Sequence, residues 1–525
     1  MEQYKNNKWV ISYILLLIFC FWQASSLLKI EKGEALMYWI AFSSFVFYLL
    51  LLQINVKLYK ASLIFSFLII LIIYPTLALY GAVTQSFIAS LLYTNQGEAT
   101  SYLNAIPLSV YLNLLGVLLM VILLIKLPYK RVSSSYFTVG IAFYLLFFPT
   151  LRFIQEGKNA IILNRYNRVS IVKVPILVGY LSYLVKKDFA EIERDSKLPD
   201  KWEILNKDSL LLKDNFIIVI GESVRKDFLQ SYGFPINNTP FMDSSARIQF
   251  DNYLSVGSHT VPSLMRTLVN SSEFPKFSLS DNIVKLSNKM GFETYWVTNQ
   301  GFIGFYDTPI SKMAMASKHT DVLNGGGYQL SKRMDAMMLP MIDSILAQKT
   351  AKPKMVFINM MGSHPFISDR TGGVYDQFIL SEDFSNYVQS IKILDDFMSH
   401  LYTSLQHTEK SFQLIYLSDH GQYIFPDYHI RHAEGYKQLY DVPLIVWGDD
   451  ITDVKRIKAY RNGRDFLKLF SELTNLKTSS ISDDFQFISE ENRDEKSFMV
   501  LGANSEIIDY RKLIDNPIPK FQVKK

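Results

Sequence analysis

Apolar residues run almost unbroken through the first part of the chain and then break into short, separated blocks. Five runs, at about 9–28, 36–54, 62–82, 107–127 and 136–151, approach the ~20 residues a helix needs to cross a hydrocarbon core. The pattern predicts an N-terminal α-helical membrane bundle of about five transmembrane helices over 1–152. Ser25 and Ser26 close the first run, but more spans follow, which argues against a cleaved signal segment.

From Phe216 the period changes. Phe216-Ile217-Ile218-Val219-Ile220 is a short β-branched block of the kind buried on both faces of a sheet. Similar blocks recur at Thr294–Thr298, Met355–Asn359, Gln413–Leu417 and Val442–Trp447, with a helical stretch from Phe384 to Leu405 between two of them. Strands alternating with helices predict a C-terminal α/β domain over 214–525, built on a mostly parallel sheet with helices on both faces. Between the halves, 153–213 mixes Arg165, Arg168 and Lys173 with a charged stretch from Lys186 to Lys197 and then Pro199. That composition reads as interfacial helices and a linker.

Charge orients the bundle. Lys5 and Lys8 precede the first run, Lys57 and Lys60 separate the second from the third, and Lys126, Lys130 and Arg131 separate the fourth from the fifth. The 83–106 loop carries neither Lys nor Arg; Lys29 and Lys32 in the first loop are accompanied by Glu31 and Glu34. By the positive-inside rule, five spans starting in the cytoplasm leave everything beyond Arg152 outside it. A net charge of +5 over 525 residues, with no basic block, argues against a nucleic-acid partner. The single cysteine, Cys20, excludes an intramolecular disulfide, which a soluble domain of this size does not need.

The polar residues of the second half gather at strand ends, where ligands of open α/β sheets bind. Glu222 follows one strand, Gly362-Ser363-His364 another and Ser418-Asp419-His420-Gly421 a third; His429 and His432 come shortly after, and all eight histidines lie at or beyond His259. Carboxylates and imidazoles drawn from several strand ends suit a Zn²⁺-type ion, although one Asp-His-Gly alone is more often a capped turn. Val256-Gly257-Ser258-His259-Thr260-Val261-Pro262-Ser263 is a small-residue turn entering a helix. A metal-bound Thr or Ser hydroxyl there could attack phosphorus, or simply cap the helix. His259 beside it reads as a bystander.

Ile218-Val219-Ile220-Gly221-Glu222-Ser223-Val224-Arg225 resembles the opening motif of the phosphoethanolamine transferases of the alkaline phosphatase/sulfatase superfamily. Asn238-Thr239-Pro240, Asn299-Gln300-Gly301, Met361-Gly362-Ser363-His364-Pro365 and Ser418-Asp419-His420-Gly421 follow in that family's order, and the five-span anchor is similar too. The resemblance implies an alkaline-phosphatase-like soluble domain in the periplasm, held by a multi-pass anchor in the bacterial inner membrane. It implies that Glu222, Thr260, Asp419 and His420 bind a catalytic Zn²⁺ and that Thr260 is the nucleophile, taking phosphoethanolamine from phosphatidylethanolamine. It implies that His364 and His432, the latter preferred over His429, contact the phosphoryl group, assist proton transfer or hold a second Zn²⁺. Thr94 and Glu98 match a lipid-facing loop, and Asn299 a substrate contact. The 225–310 stretch and the missing disulfides are similar to the subgroup that modifies lipopolysaccharide core sugars or periplasmic glucans. The acceptor is then a hydroxyl of an envelope glycan or glycolipid (core sugar, lipid A or glucan), and the enzyme a monomer among membrane lipids.

Three rival readings share parts of this pattern. A lipoteichoic-acid-type synthase would share the fold and take glycerol phosphate from phosphatidylglycerol. A sulfatase would need a modifiable Cys or Ser followed by x-Pro-x-Arg, and Ser263-Leu264-Met265-Arg266 lacks the proline. A non-catalytic envelope sensor or scaffold would not need the acid, Thr and histidine set together.

Overall fold

The computed structural model describes residues 8–27, 34–80, 83, 88, 91–92, 103, 106–130, 135–156, 170–271, 274–300, 309–323, 334–365, 367–493, 495–502 and 505–522. The chain divides into two compact units, Met1–Leu92 with Tyr102–Lys186, and Tyr93–Ser101 with Lys187–Lys525.

In the first unit every apolar run is helical: α1 (Lys8–Leu27), α2 (Glu34–Ile54), α3 (Val56–Tyr80), α4 (Leu108–Lys126) and α5 (Ser135–Glu156). Among the described residues four helices, α1 to α4, are long and apolar enough to cross a membrane. Only Asn55 separates α2 from α3, so Lys57 and Lys60 lie in the first turns of α3 rather than in a loop. Ile14, Leu17 and Ile18 on α1 and Leu112, Leu115 and Leu119 on α4 are exposed, the outward apolar surface a lipid-facing helix presents. Inside, Ser66 Oγ of α3 accepts hydrogen bonds from Gln23 of α1 and from Tyr48 of α2, the latter at 2.8 Å. Polar groups placed away from water must find each other in this way, and this trio ties three helices. One 27-residue helix, α6 (Ser170–Ser196), follows.

The second unit is built on eight strands: β1 (Asn215–Gly221), β2 (Ile248–Leu254), β3 (Glu293–Thr298), β4 (His319–Val322), β5 (Lys354–Asn359), β6 (Phe412–Ser418), β7 (Leu444–Gly448) and β8 (Lys455–Asn462). Their spatial order is β8-β2-β7-β6-β1-β5-β3-β4. The run β6-β1-β5-β3-β4 is parallel throughout, and β8 is parallel to β2. The strand β7 is antiparallel to both β6 and β2, so the sheet is mixed at that one strand.

All seven residues of β1 are buried. Phe216, Ile218 and Ile220 enter one core and Ile217 and Val219 the other, because successive strand side chains point to opposite faces. The strand β5 divides likewise, Met355 and Phe357 against Val356 and Ile358. Each such side chain contributes ~1.5–3 kcal/mol of burial, so this central pair anchors everything attached to its ends. Helix α7 (Pro240–Ser245), α8 (Thr260–Thr267) and α9 (Glu382–His407) complete the elements used below.

Candidate active site

The sheet register assembles the site. In the ladder between β1 and β6, Gly221 pairs with Ser418, so the next residues, Glu222 and Asp419, leave the sheet side by side. On the other flank of β1, Ile220 pairs with Asn359 of β5, which leads into Met360–His364. Asn359 pairs in turn with Thr298 of β3, which leads into Asn299 and Gln300. Four neighbouring parallel strands thus deliver all their polar endings to one edge. Two glycines permit the close approach. A Cβ on Gly362, whose φ is +49°, would lie 2.7 Å from the Glu222 carbonyl oxygen, and one on Gly421 would lie 2.0 Å from the Gln438 carbonyl oxygen.

Glu222, Asp419 and His420 are buried, and their ligand atoms lie within 4.8 Å of one another. His420 Nε2 is 3.4 Å from Glu222 Oε1 and 3.6 Å from Asp419 Oδ2. His420 Nδ1 is 2.8 Å from the Gly421 carbonyl oxygen, which only accepts, so Nδ1 carries the proton and, in the neutral ring, Nε2 presents its lone pair to the cluster. Asp419 Oδ1 accepts from the backbone N–H groups of Ser223 (2.9 Å) and His420 (2.7 Å), while Oδ2 is buried with no hydrogen-bond partner. Ser223, at φ +63°, donates its hydroxyl to Glu222 Oε1 at 2.6 Å. Gln300 Nε2 donates to Glu222 Oε2 at 3.1 Å and to the Met360 carbonyl at 2.8 Å.

Thr260 is the first residue of α8, and its hydroxyl donates to Glu222 Oε2 at 3.2 Å and sits 3.5 Å from His420 Nε2. Ser263, one turn on, donates to the Asp419 carbonyl at 2.6 Å and fastens α8 to the cluster. Burial and the charge of Glu222 push the Asp419 carboxyl up. For Glu222 burial acts upward too, but the hydrogen bond and charge of His420 outweigh it and hold the carboxyl low. His420 rises despite its burial because Asp419 and Glu222 both favour the imidazolium. Two carboxylates this close and this dry need a positive partner to be charged together.

The remaining sequence candidates are placed as follows. His364 is half-buried in the turn after β5, close enough to Glu222 to lower its pKa, with Nδ1 3.2 Å from the Pro365 carbonyl oxygen. His432 lies with its ring 6.1 Å from that of His420 and its Nε2 3.0 Å from Glu434 Oε1. His429 is instead near Asp383 and Asp427, at 3.9 and 4.0 Å. Asn299 is fully buried and donates to Asp335 Oδ1 at 2.8 Å, while the next side chain, Gln300, reaches the cluster. Alternate side chains leaving a strand point opposite ways, so only one of the pair can face the site. Thr94, Glu98 and Gly301 lie outside the described residues. Sequence reasoning passed over Ser223, Ser263, Gln300 and Asp335. Asp335 Oδ1 and Oδ2 accept from the backbone N–H groups of Met361 (2.9 Å) and Gly362 (2.8 Å) as well, which no spacing along the chain signals.

A mostly parallel α/β sheet with an acid–histidine cluster beyond its strand ends, in a chain that also carries four span-length apolar helices, defines a membrane protein of the alkaline-phosphatase class. The sulfatase family profile matches residues 214–476. Over 473 residues the chain is 31% identical to phosphoethanolamine transferase OpgE of Escherichia coli (strain K12), covering 87% of each chain. The integral membrane protein lipooligosaccharide phosphoethanolamine transferase A of Neisseria meningitidis shares the fold, with a TM-score of 0.58 at 14% identity over 90% of this chain and 96% of that one. So does the C-terminal periplasmic domain of EptC from Escherichia coli, solved in complex with zinc, with a TM-score of 0.52 at 18% identity over 60% of this chain and 97% of that domain. The chain belongs to the phosphoethanolamine transferase family, within the sulfatase-like superfamily, and is a transferase.

Proposed function

We propose that this transferase is zinc-dependent, sits in a bacterial inner membrane with its α/β unit in the periplasm, and moves phosphoethanolamine from phosphatidylethanolamine to a hydroxyl of an envelope glycan or glycolipid. The observation that carries the reading is the placing of the Thr260 hydroxyl, 3.2 Å from Glu222 Oε2 and 3.5 Å from His420 Nε2, at the N-terminus of α8. The distribution of Lys and Arg supports the orientation, and the zinc held by the EptC domain supports the choice of metal.

The residues present fit such an ion. Glu222, Thr260, Asp419 and His420 would hold it, an oxygen-rich set with one imidazole. The buried Asp419 Oδ2, which lacks any hydrogen-bond partner, is a donor atom otherwise unaccounted for. A bound zinc ion supplies Lewis-acid chemistry, lowering the pKa of the threonine hydroxyl and offsetting charge on the phosphoryl oxygens.

The chain's own residues then divide the work. The Thr260 hydroxyl points its proton at Glu222 Oε2, and its oxygen attacks the donor's phosphorus. The Thr–O–P bond forms, the phosphorus–glycerol oxygen bond breaks, and the departing diacylglycerol takes up a proton. In the second half the acceptor hydroxyl attacks the same phosphorus, loses its proton to a neighbouring base, and Thr260 leaves and is reprotonated. His364, in the turn after β5, and His432, whose ring lies 6.1 Å from that of His420, are the residues for these proton transfers. Two in-line displacements leave the configuration at phosphorus unchanged.

The test is diacylglycerol release from phosphatidylethanolamine and from phosphatidylglycerol in detergent, wild type against Thr260→Ala. Release from phosphatidylethanolamine alone, lost in the variant, is expected. Release from phosphatidylglycerol instead would move the chain to glycerol-phosphate transfer, and equal release by the variant would end the nucleophile assignment.

A further inference from the structure

Three N–H groups converge on the buried carboxylate of Asp335, the first residue of a short 3-10 turn, Asp335–Met338. Its Oδ1 accepts from the Asn299 side-chain amide at 2.8 Å and from the Met361 backbone at 2.9 Å, and its Oδ2 accepts from the Gly362 backbone at 2.8 Å. The donors stand 36 positions before Asp335 and 26 and 27 after it, on the endings of β3 and β5. Burial pushes this carboxyl up, against those bonds and the charge of Arg370, so a costly group is kept where two strand endings meet.

Both endings act on Glu222. In the turn after β5, the Ser363 N–H donates to the Glu222 carbonyl oxygen at 2.9 Å, and Gly362 lies so near that an added Cβ would be 2.7 Å from the same oxygen. After β3, the residue following Asn299 is Gln300, whose Nε2 donates to Glu222 Oε2 at 3.1 Å. One route therefore reaches the main chain of Glu222 and the other its side chain, and the two join at Asp335. Only an ionised carboxyl can accept at both oxygens and donate at neither. An asparagine at 335 must turn its NH₂ towards at least one of the three N–H groups.

We propose that Asp335 is a positioning residue for the transfer reaction, a brace that holds the endings of β3 and β5 together and so fixes Glu222 by main chain and side chain at once. Its oxygens are given to amides of the chain, so it acts through Glu222 rather than on the phosphoryl group. The same turn leads into His364, whose N–H donates to the Met361 carbonyl at 3.2 Å, so the brace also sets where that side chain starts. This rests on the metal-dependent reading above, in which Glu222 is a ligand, and adds to it the group that aims that ligand.

The test measures zinc affinity by dye competition, and amide exchange by mass spectrometry, on the full-length protein in detergent. The variants are Asp335→Asn, Asn299→Ala and Gln300→Ala, the first two each also combined with Gln300→Ala, and Asp419→Asn as the metal control. Asp335→Asn should weaken zinc binding roughly 10–100-fold and speed exchange at 361–363 while β8 keeps its protection. On the Gln300→Ala background, Asn299→Ala should have no further effect, because both belong to the side-chain route. Asp335→Asn should weaken binding again on that background, because the main-chain route is still there to lose. Wild-type affinity in Asp335→Asn overturns the brace, even where the variant melts earlier and exchanges faster throughout. If Asp335→Asn does not fold, Asn299→Ala decides: an affinity as low as that of Gln300→Ala supports the brace, and wild-type affinity overturns it. A wild type without zinc, or zinc kept in Asp419→Asn, overturns the metal reading instead. Exchange then decides the brace, supported by opening confined to 361–363 in Asp335→Asn and overturned by wild-type protection there.

Discussion

The side-chain amide of Gln300 donates to Oε2 of Glu222 at 3.1 Å, across the ends of two strands that are not neighbours in the sheet. The same Oε2 accepts the Thr260 hydroxyl, so one carboxylate oxygen is held between the proposed nucleophile and a fixed donor. The orientation of Glu222 depends on Gln300 as well as on its own strand. Gln300→Ala should weaken zinc binding roughly 10–100-fold, the usual cost of removing an outer-sphere partner, with little change in melting temperature. Competition against a zinc-binding dye would measure it; unchanged affinity would mean that Ser223 alone suffices to hold Glu222.

Thr260 separates chemistry from structure. Thr260→Ser keeps a hydroxyl at the start of α8 and should retain measurable diacylglycerol release, whereas Thr260→Val, similar in shape, should retain none. Both should lower stability by no more than about 1 kcal/mol, since one half-exposed hydrogen bond is at stake. Thermal melts in detergent, run beside the assay, distinguish a lost nucleophile from a lost fold.

Gly362 tests how closely the β5 turn must approach Glu222. Its φ of +49° and the 2.7 Å from an added Cβ to the Glu222 carbonyl oxygen mean that alanine cannot fit without a backbone shift. Gly362→Ala should cost about 1–3 kcal/mol and displace His364 with it. A variant as stable and as active as wild type would show that the turn moves freely.

Asp395, on α9, gives a pH signature. From α9 its two oxygens accept the N–H groups of Phe241 and Met242, capping α7, whose own N-cap Thr239 provides no side-chain bond. Burial raises its pKa to about 6, against the pull of those two hydrogen bonds. The folded state therefore binds a proton that the unfolded state, near 4, does not, and its contribution is greatest below pH 4 and lost as pH rises through 6. Asp395→Asn should remove that term, on the order of 2–3 kcal/mol between pH 4 and 7. The difference between the wild-type and variant stability curves isolates it, and a pH-independent difference would refute the assignment.

Much of this architecture was legible in the chain. Each of the five apolar runs forms a helix, because a long segment without polar breaks has no other way to satisfy its backbone out of water. The strands at Phe216, Thr294, Met355 and Gln413 announced themselves because strands buried on both faces are continuously apolar. Placing Glu222, His364, Asp419 and His420 at strand ends followed from those blocks. The strands β2 and β8 stayed hidden: β8 begins Lys455-Arg456-Ile457-Lys458, exposed except at Ile457, and so resembles a charged loop. The reversed direction of β7 was equally silent, since an apolar block looks the same read either way.

What the sequence by itself determined was local: which segments are helix or strand, and which chemistry-bearing residues end them. Only the tertiary structure decided which of those endings meet. Glu222 and Asp419 are neighbours because β1 and β6 pair in a register that a separation of 197 positions along the chain cannot express. Gln300 rather than Asn299 faces the cluster, and His259 joins His432 and Glu434, because a one-residue step after a strand or before a helix reverses the side chain's direction. Residue identity travels with the chain, whereas proximity and direction are set by packing two cores around one sheet.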